Sequence, residues 1–199
     1  MISLLILLVL VKHLKIQYLK VKYMTKETNK EKSEYVPILS SSHLGGKNAQ
    51  ELSEFEYGLI MVNNAFQRWM QSCSTACDKH NLSALDNLVI HNIYHRDRAK
   101  RITDVAFTLN LDDIHNVSYS VRKLVKDNML KHEKRGKETY YSVTTLGKTF
   151  CLEYAKIREK CLVQALEHLS IDDSLSEVAK LMRTLSGVYA QASRAASSL

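Results

Sequence analysis

The sequence predicts a mainly α-helical fold with a small β-wing and long flanking helices. One proline and six glycines occur among 199 residues, so little interrupts a helix over long stretches. Apolar residues recur at helical spacing near both ends of the chain, and two short strand-like runs surround a glycine turn between them. A chain of this length suits one compact core with added helices better than two independent domains.

Residues 1–48 are expected to form an N-terminal segment and linker. The apolar run 1–11 is too short to span a bilayer, which needs about 20 residues, and it lacks the charge order of a secretory signal. Three interpretations stay open: translation starts at Met24, the segment lies on a membrane surface, or it packs as a helix of the fold. Residues 24–47 are charged and serine-rich, which is typical of a linker.

A long amphipathic helix is predicted over residues 49–80. Its apolar residues follow one another at alternating spacings of three and four, which places them on one helical face. This stripe is longer than a small domain needs for its own core, so a second helix or subunit is expected to cover it. The predicted dimerisation residues are Leu52, Phe55, Leu59, Val62, Phe66 and Trp69.

Residues 146–199 carry two further apolar stripes at helical spacing. The first runs from Phe150 to Ala165, and the second runs from Leu175 to Tyr189. Both stripes are predicted to be dimerisation helices, so that long helices flank a central region of different character.

The central region, residues 81–145, is predicted to hold three helices and a hairpin. Ser83 is a candidate N-cap for the first helix, and Asp112 or Asp113 can cap the third after a polar turn. Asn128 stands where the third helix must end, because asparagine tolerates a left-handed backbone. Two strands, 129–133 and 138–143, then surround a turn at residues 134–137. This order is that of a winged helix-turn-helix.

The exposed face of the third helix offers side chains that suit base edges and phosphates of double-stranded DNA. Residues 91–137 contain 11 Lys and Arg against 6 Asp and Glu, so this stretch carries +5 of the total formal charge of +7. A basic helix face alone is commonly a solvated surface, but the basic hairpin beside it favours DNA. The predicted DNA-binding residues are Ser83, His115, Asn116, Ser118, Tyr119, Arg122, Lys123, Lys126, Lys134, Arg135 and Lys137.

The cysteines and histidines allow competing chemistry. Four cysteines without a disulfide framework indicate a reducing compartment, so the protein is expected to be cytoplasmic. Cys73 and Cys77 lie four apart and could sense oxidants or bind a metal, but buried cysteine is commonly a small hydrophobe. His91 and His95 are expected to be exposed or loop-facing. No catalytic motif occurs, so the sequence predicts neither an enzyme nor a metal or cofactor.

The chain resembles the MarR-type winged-helix transcription regulators over residues 52–185. The resemblance rests on the long first helix and on the segments LSALDNLVI (82–90), VSYSVRKLVKDNML (117–130) and VTTLG (143–147). In the wing, Arg135-Gly136-Lys137 replaces the family's Asp-x-Arg pattern, so the aspartate that steadies the family's wing is missing.

The resemblance implies a homodimer that binds double-stranded DNA and regulates transcription, more often as a repressor. It also allows a small-molecule effector of unknown identity between the dimerisation helices and the DNA-binding lobes. A winged-helix adaptor that binds protein, and a thiol-based redox sensor on the same scaffold, are the alternatives.

Overall fold

The computed structural model describes residues 38–46, 49–78, 82–167 and 172–199. Two compact units are present, residues 1–62 and residues 63–199. The hypotheses about a start at Met24 and about membrane association concern residues outside the described ranges. Across those ranges, no helix combines the length and the apolar character that a membrane crossing requires. The expected segments 1–48, 49–80, 81–145 and 146–199 stay a prediction.

The first unit contains a short 3-10 turn, Ser42–Leu44, and the beginning of helix α1, which spans Gln50–Asp78. The buried Ser53 hydroxyl of α1 donates a hydrogen bond of 2.6 Å to the Leu44 carbonyl oxygen. The expected linker at residues 24–47 therefore includes at least one turn that a helix side chain fixes.

The second unit contains the remaining helices and the only sheet of the described ranges. A 3-10 turn, His95–Asp97, follows α2, and a π-helical turn, Glu159–Val163, follows α5. The elements are α2 (Ala84–Tyr94), α3 (Ile102–Thr108), α4 (Ile114–Lys126), β1 (Leu130–Arg135), β2 (Glu138–Val143), α5 (Thr145–Arg158), α6 (Gln164–Glu167) and α7 (Asp172–Ala196).

Side-chain caps fix where the helices begin. The Ser83 hydroxyl accepts from the Asp86 amide at 3.1 Å, and the Asp86 carboxylate accepts from the Ser83 amide at 2.8 Å, which is a reciprocal capping box. Asp113 caps α4, and Asn128 adopts a φ of 58° just beyond its end. The predicted roles of Ser83, Asp113 and Asn128 at helix ends are therefore confirmed.

The hairpin of β1 and β2, called the wing below, closes in two residues. Arg135 pairs with Glu138, so the turn consists of Gly136 and Lys137, and Gly136 has a φ of 63°. The predicted four-residue turn at 134–137 was too long, because a glycine with positive φ closes a hairpin tightly. Lys134 and Arg135 consequently belong to β1.

A third backbone segment joins the wing. The Lys100 amide donates to the Tyr141 carbonyl at 2.9 Å, and the Tyr141 amide donates back to Lys100 at 2.8 Å. This bridge attaches the loop before α3 to β2. Below the wing, helices α2 to α5 enclose a core whose buried members include Val89, Ile90, Ile93, Val105, Val117, Val121, Leu124, Met129 and Phe150.

We predict that Gly147→Ala destabilises the protein. A Cβ at Gly147 would lie 2.2 Å from the Met129 carbonyl oxygen, a contact that the backbone can relieve only by shifting α5 from the base of the wing. The free energy of unfolding should fall by about 1–3 kcal/mol in urea titrations. Gly187→Ala is the matched control, since nothing lies within 4 Å of its Cβ position. Equal stability of the two variants would contradict this packing.

Candidate nucleic-acid interface

Helix α4 presents a polar face opposite its buried one. Val117, Val121 and Leu124 are buried, together with the Ser120 side chain. Tyr119 is 67% exposed, and Ser118 is half-buried at the edge. The fully accessible members of the predicted DNA-binding set on this helix are His115, Asn116, Tyr119, Arg122 and Lys126.

Asp113 organises the first turn of α4. Its Oδ1 accepts from the backbone amides of His115 and Asn116 at 2.9 and 3.3 Å, while its Oδ2 accepts from Asn116 Nδ2 at 2.7 Å. The Asn116 amide nitrogen is thus already engaged in the isolated chain. Bidentate pairing with adenine uses both the nitrogen and the oxygen of this amide, so the side chain would have to leave Asp113.

A buried carboxylate connects α4 to α2. Asp86 Oδ1 accepts from the Ser120 hydroxyl at 2.6 Å, and Asp86 Oδ2 accepts from Lys123 Nζ at 2.7 Å while also capping Ser83. Burial by itself would raise the pKa of Asp86, but the ion pair with Lys123 and the bonds from Ser120 and Ser83 outweigh it and lower the pKa. Asp86 is therefore ionised at neutral pH.

The sequence predicts that Lys123 points away from the core. This prediction is wrong, because its ammonium group pairs with Asp86. The side chain turns to Asp86 and remains 32% exposed. Helical spacing placed Lys123 beside outward residues, but spacing cannot show that a buried carboxylate from another helix lies within reach. Ser83 is also engaged, since its hydroxyl serves the capping box. Contact of either residue with DNA stays a prediction.

All three basic residues predicted for the wing are exposed to solvent, namely Lys134, Arg135 and Lys137. Arg135 forms an ion pair with Glu133 and lies over the Tyr140 ring, 4.6 Å from its centroid. Sequence reasoning missed Lys131, which β1 also exposes. Every residue of β1 after Leu130 is exposed, so alternation along the strand gives no signal for Lys131, and only its place in the basic wing does.

An arginine clamp holds the base of the wing. Arg101 binds Asp104 with two nitrogens, Nε at 3.0 Å and Nη2 at 2.8 Å, while its Nη1 binds Glu138 of β2 at 2.7 Å. The hydrogen bonds from Arg101 lower the pKa of both carboxyl groups. The clamp therefore persists at neutral pH. It connects α3 to the wing, in which the aspartate expected from the MarR-type resemblance is missing.

His91 is packed inside, so the prediction of an exposed or loop-facing side chain is wrong. Its ring meets the Tyr154 ring edge-on at a centroid distance of 4.5 Å and lies 6.1 Å from Phe150. Burial lowers the pKa of His91 to about 4, so the ring is neutral at physiological pH. Its Nε2 is buried without a hydrogen-bond partner in the part of the chain that the structure describes. Only the tertiary packing of α5 over α2 creates this environment.

A cleft of about 650 Å³ opens beside His91. Its walls come from α1, α2 and α5 and are mainly aromatic and apolar, including Trp69, Leu88 and Tyr154, with Arg158 as a charged member. Such a cleft suits an apolar or aromatic small molecule.

The four cysteines, which all lie in the described ranges, form no disulfide, and two of them are buried. Cys73 is buried and donates to the Tyr154 carbonyl oxygen at 3.7 Å, while Cys151 is also buried. Burial raises the pKa of Cys73, and it raises the pKa of Cys151 to about 12, so neither is a thiolate at neutral pH. Within the described ranges, no three His, Cys, Asp or Glu side chains are grouped to hold a metal ion.

The predicted dimerisation residues of α1 are largely accessible in the single chain. Leu52, Val62 and Phe66 are 49%, 52% and 49% exposed, and Leu59 is 36% exposed. Phe55 and Trp69 are half-buried. Helix α7 exposes further large apolar side chains, namely Leu175, Val178, Leu181, Met182 and Val188.

We predict that Asp86→Asn lowers the free energy of unfolding by about 1–3 kcal/mol at pH 7, because it breaks charge-assisted bonds in a buried network. A carboxyl whose pKa is lowered on folding stabilises the native state above its unfolded pKa. The difference between parent and variant should therefore shrink as pH falls below about 4. Urea titrations at several pH values measure it.

Asp112→Asn is the control for this comparison, because Asp112 is exposed and forms no side-chain hydrogen bond or ion pair within the described ranges. Its stability should follow the parent at every pH. A pH-independent deficit in Asp86→Asn would contradict the assigned ionisation of the buried carboxylate.

Comparison with known proteins agrees with this geometry. The family of winged helix DNA-binding domains matches residues 82–147, and none of the curated proteins matches the chain. A MarR family transcription regulator is similar in structure with a TM-score of 0.60 at 8% identity, over 75% of this chain and 97% of that one. A cysteine-to-serine mutant of MarR from E. coli, complexed with operator DNA, gives 0.57 at 16% identity, over 68% and 95%.

A MarR family regulator from Rhodococcus sp. RHA1 is also similar, with a TM-score of 0.57 at 11% identity over 67% of this chain and 92% of that one. The domain that the family model matches contains α2, α3, α4 and the wing. Residues 82–147 match the winged helix DNA-binding domain, and the chain has the winged-helix fold of the MarR-type structures.

Proposed function

We propose that this protein is a sequence-specific, double-stranded DNA-binding regulator of transcription. The observation that carries the proposal is the exposed polar face of α4, with Asn116, Tyr119 and Arg122 accessible beside a basic wing. Side chains of these types can pair with base edges in the major groove, while the wing cations suit phosphates. A structure of similar fold, the MarR mutant, is complexed with operator DNA.

Selection of bound duplexes from a random DNA pool tests this proposal. Enrichment of one sequence motif is the expected result, and a pseudo-palindrome is expected if two copies of the chain bind together. Lack of duplex binding at low salt would overturn the proposal and favour a protein-binding adaptor. Repression rather than activation is the finer part of the proposal, and a promoter reporter would separate the two.

We predict that Asn116→Ala and Arg122→Ala each weaken binding to the selected site by about 1–3 kcal/mol and blur the sequence preference. The reason is the loss of a base-edge contact, which affects the correct sequence more than others. Competition binding with the selected site and a scrambled duplex measures the ratio. Equal losses on both duplexes would assign these residues to phosphate contacts instead.

The cleft beside His91 is the proposed site for a small-molecule effector. Its lining of Trp69, Leu88 and Tyr154 favours an apolar or aromatic ligand. The Arg158 guanidinium can pair with an acidic group of such a ligand. Trp69 is the single tryptophan of the chain, so its fluorescence reports directly on this cleft. Unchanged fluorescence across a panel of apolar aromatic acids would count against this assignment.

A homodimer is the proposed assembly. Helix α1 and helix α7 each expose several large apolar side chains, which a partner subunit would remove from water. A twofold arrangement would cover them and place two recognition helices about 34 Å apart, one turn of DNA.

We predict that Leu59→Glu with Phe66→Glu abolishes both dimerisation and specific DNA binding, because charges would be buried in the interface. Light scattering at micromolar concentration and duplex binding are the measurements. The control pair, Asn64→Glu with Gln71→Glu, has the same spacing and adds the same charge at exposed polar positions. A folded monomer that binds its site with parent affinity would show that function does not require this interface.

A further inference from the structure

The loop between α2 and α3 carries two exposed arginines, Arg96 and Arg98. Neither has a hydrogen bond or an ion pair within the described ranges. Three carboxylates are near. Asp97 lies between the two arginines in the chain, while Asp104 and Glu138 are already held by Arg101.

A buried cation adds to the positive charge of this loop. Lys100 is 7% exposed, and its ammonium donates to the carbonyl oxygen and to Oδ1 of Asn92. Burial lowers the pKa of Lys100, and repulsion from Arg98 and Arg96 lowers it further, while Asp104 acts in the opposite direction. Like charges therefore stand close together, and an anion from outside the chain would relieve that repulsion.

A cleft of about 640 Å³ lies beside these arginines. Arg96 and Arg98 line one side, while Phe107 of α3 and Tyr140 of β2 line others. Phe107 is 89% exposed, which is unusual for a large apolar side chain and leaves it free to contact a bound molecule.

The same surface continues along the wing. Tyr140 borders the cleft and also lies beneath the Arg135 guanidinium, 4.6 Å away. The backbone pairing of Lys100 with Tyr141 attaches the loop that carries Arg96 and Arg98 to strand β2 of the wing. Exposed guanidinium groups therefore lie on both sides of Tyr140, that of Arg135 on the wing and those of Arg96 and Arg98 on the adjoining loop.

We propose that Arg96 and Arg98 bind backbone phosphates of the same DNA duplex, next to the phosphates held by the wing. This inference rests on the proposed DNA-binding function and adds a second contact region to it. Duplex DNA carries one negative charge per about 1.7 Å of its axis, so exposed guanidinium groups on the wing and on the adjoining loop can reach successive phosphates of its backbone. Phe107 and Tyr140 provide apolar surface for the sugars between phosphates.

The test is the double variant Arg96→Gln, Arg98→Gln in the full chain. The slope of log affinity against log salt should become shallower by about 2, and affinity at 0.1 M salt should fall by roughly 3- to 30-fold. The loss should be the same for the selected site and for a scrambled duplex, because phosphate contacts carry no sequence information. Hydroxyl-radical footprints of the parent should show protection beyond the wing that the variant lacks.

The control double variant is Arg183→Gln, Arg194→Gln, which removes the same charge from exposed positions on α7. Its salt slope and footprint should match those of the parent. Parent-like slope and footprint in Arg96→Gln, Arg98→Gln would overturn the inference and leave an acidic protein as the partner to seek. Failure of the parent to bind any duplex would instead overturn the proposed function, and this inference with it.

Discussion

The carboxylate of Asp86 is the point on which the arrangement of α4 depends. It caps the first turn of α2 and also binds Ser120 and Lys123, one helical turn apart on α4. These two contacts, one helical turn apart, fix the rotation of α4 about its own axis and its position along that axis relative to α2. The polar face of the helix is therefore directed by a buried ionic contact as well as by apolar packing.

A buried charge is costly unless its partners remain in place, so this contact tolerates little movement. As a result, the ammonium group of Lys123 on α4 is directed to Asp86, whereas the neighbouring Arg122 stays exposed.

The wing is fixed by three different means. The Lys100–Tyr141 bridge supplies backbone hydrogen bonds, the Arg101 clamp supplies charge-assisted bonds, and the close approach of Gly147 to Met129 sets the distance to α5. Each acts at the base of the hairpin. The turn at Gly136 stays exposed and accessible to a partner, on a short hairpin that would be marginal alone.

The long helices behave differently from the winged domain. The core buries Val89, Val117 and Leu124 completely, whereas α1 and α7 keep large apolar side chains at 36–56% exposure. A single chain thus completes the interior of the winged domain and leaves the long helices incomplete. Helical spacing reveals the apolar stripes of α1 and α7 in the sequence, although the core of one chain does not bury all of their residues.

The sequence by itself determined the elements of this protein, because their signals are local. Helical periodicity, the caps at Ser83 and Asp113, and the left-handed position at Asn128 each depend on residues within one or two turns. Only the tertiary structure decided the partners of Lys123, Lys100 and His91, since those depend on residues from other elements. Asp86 lies 37 positions from Lys123, and Tyr154 packs on His91 from another helix. Periodicity shows which face a residue occupies, but the charge or ring that meets it is set by how the helices pack.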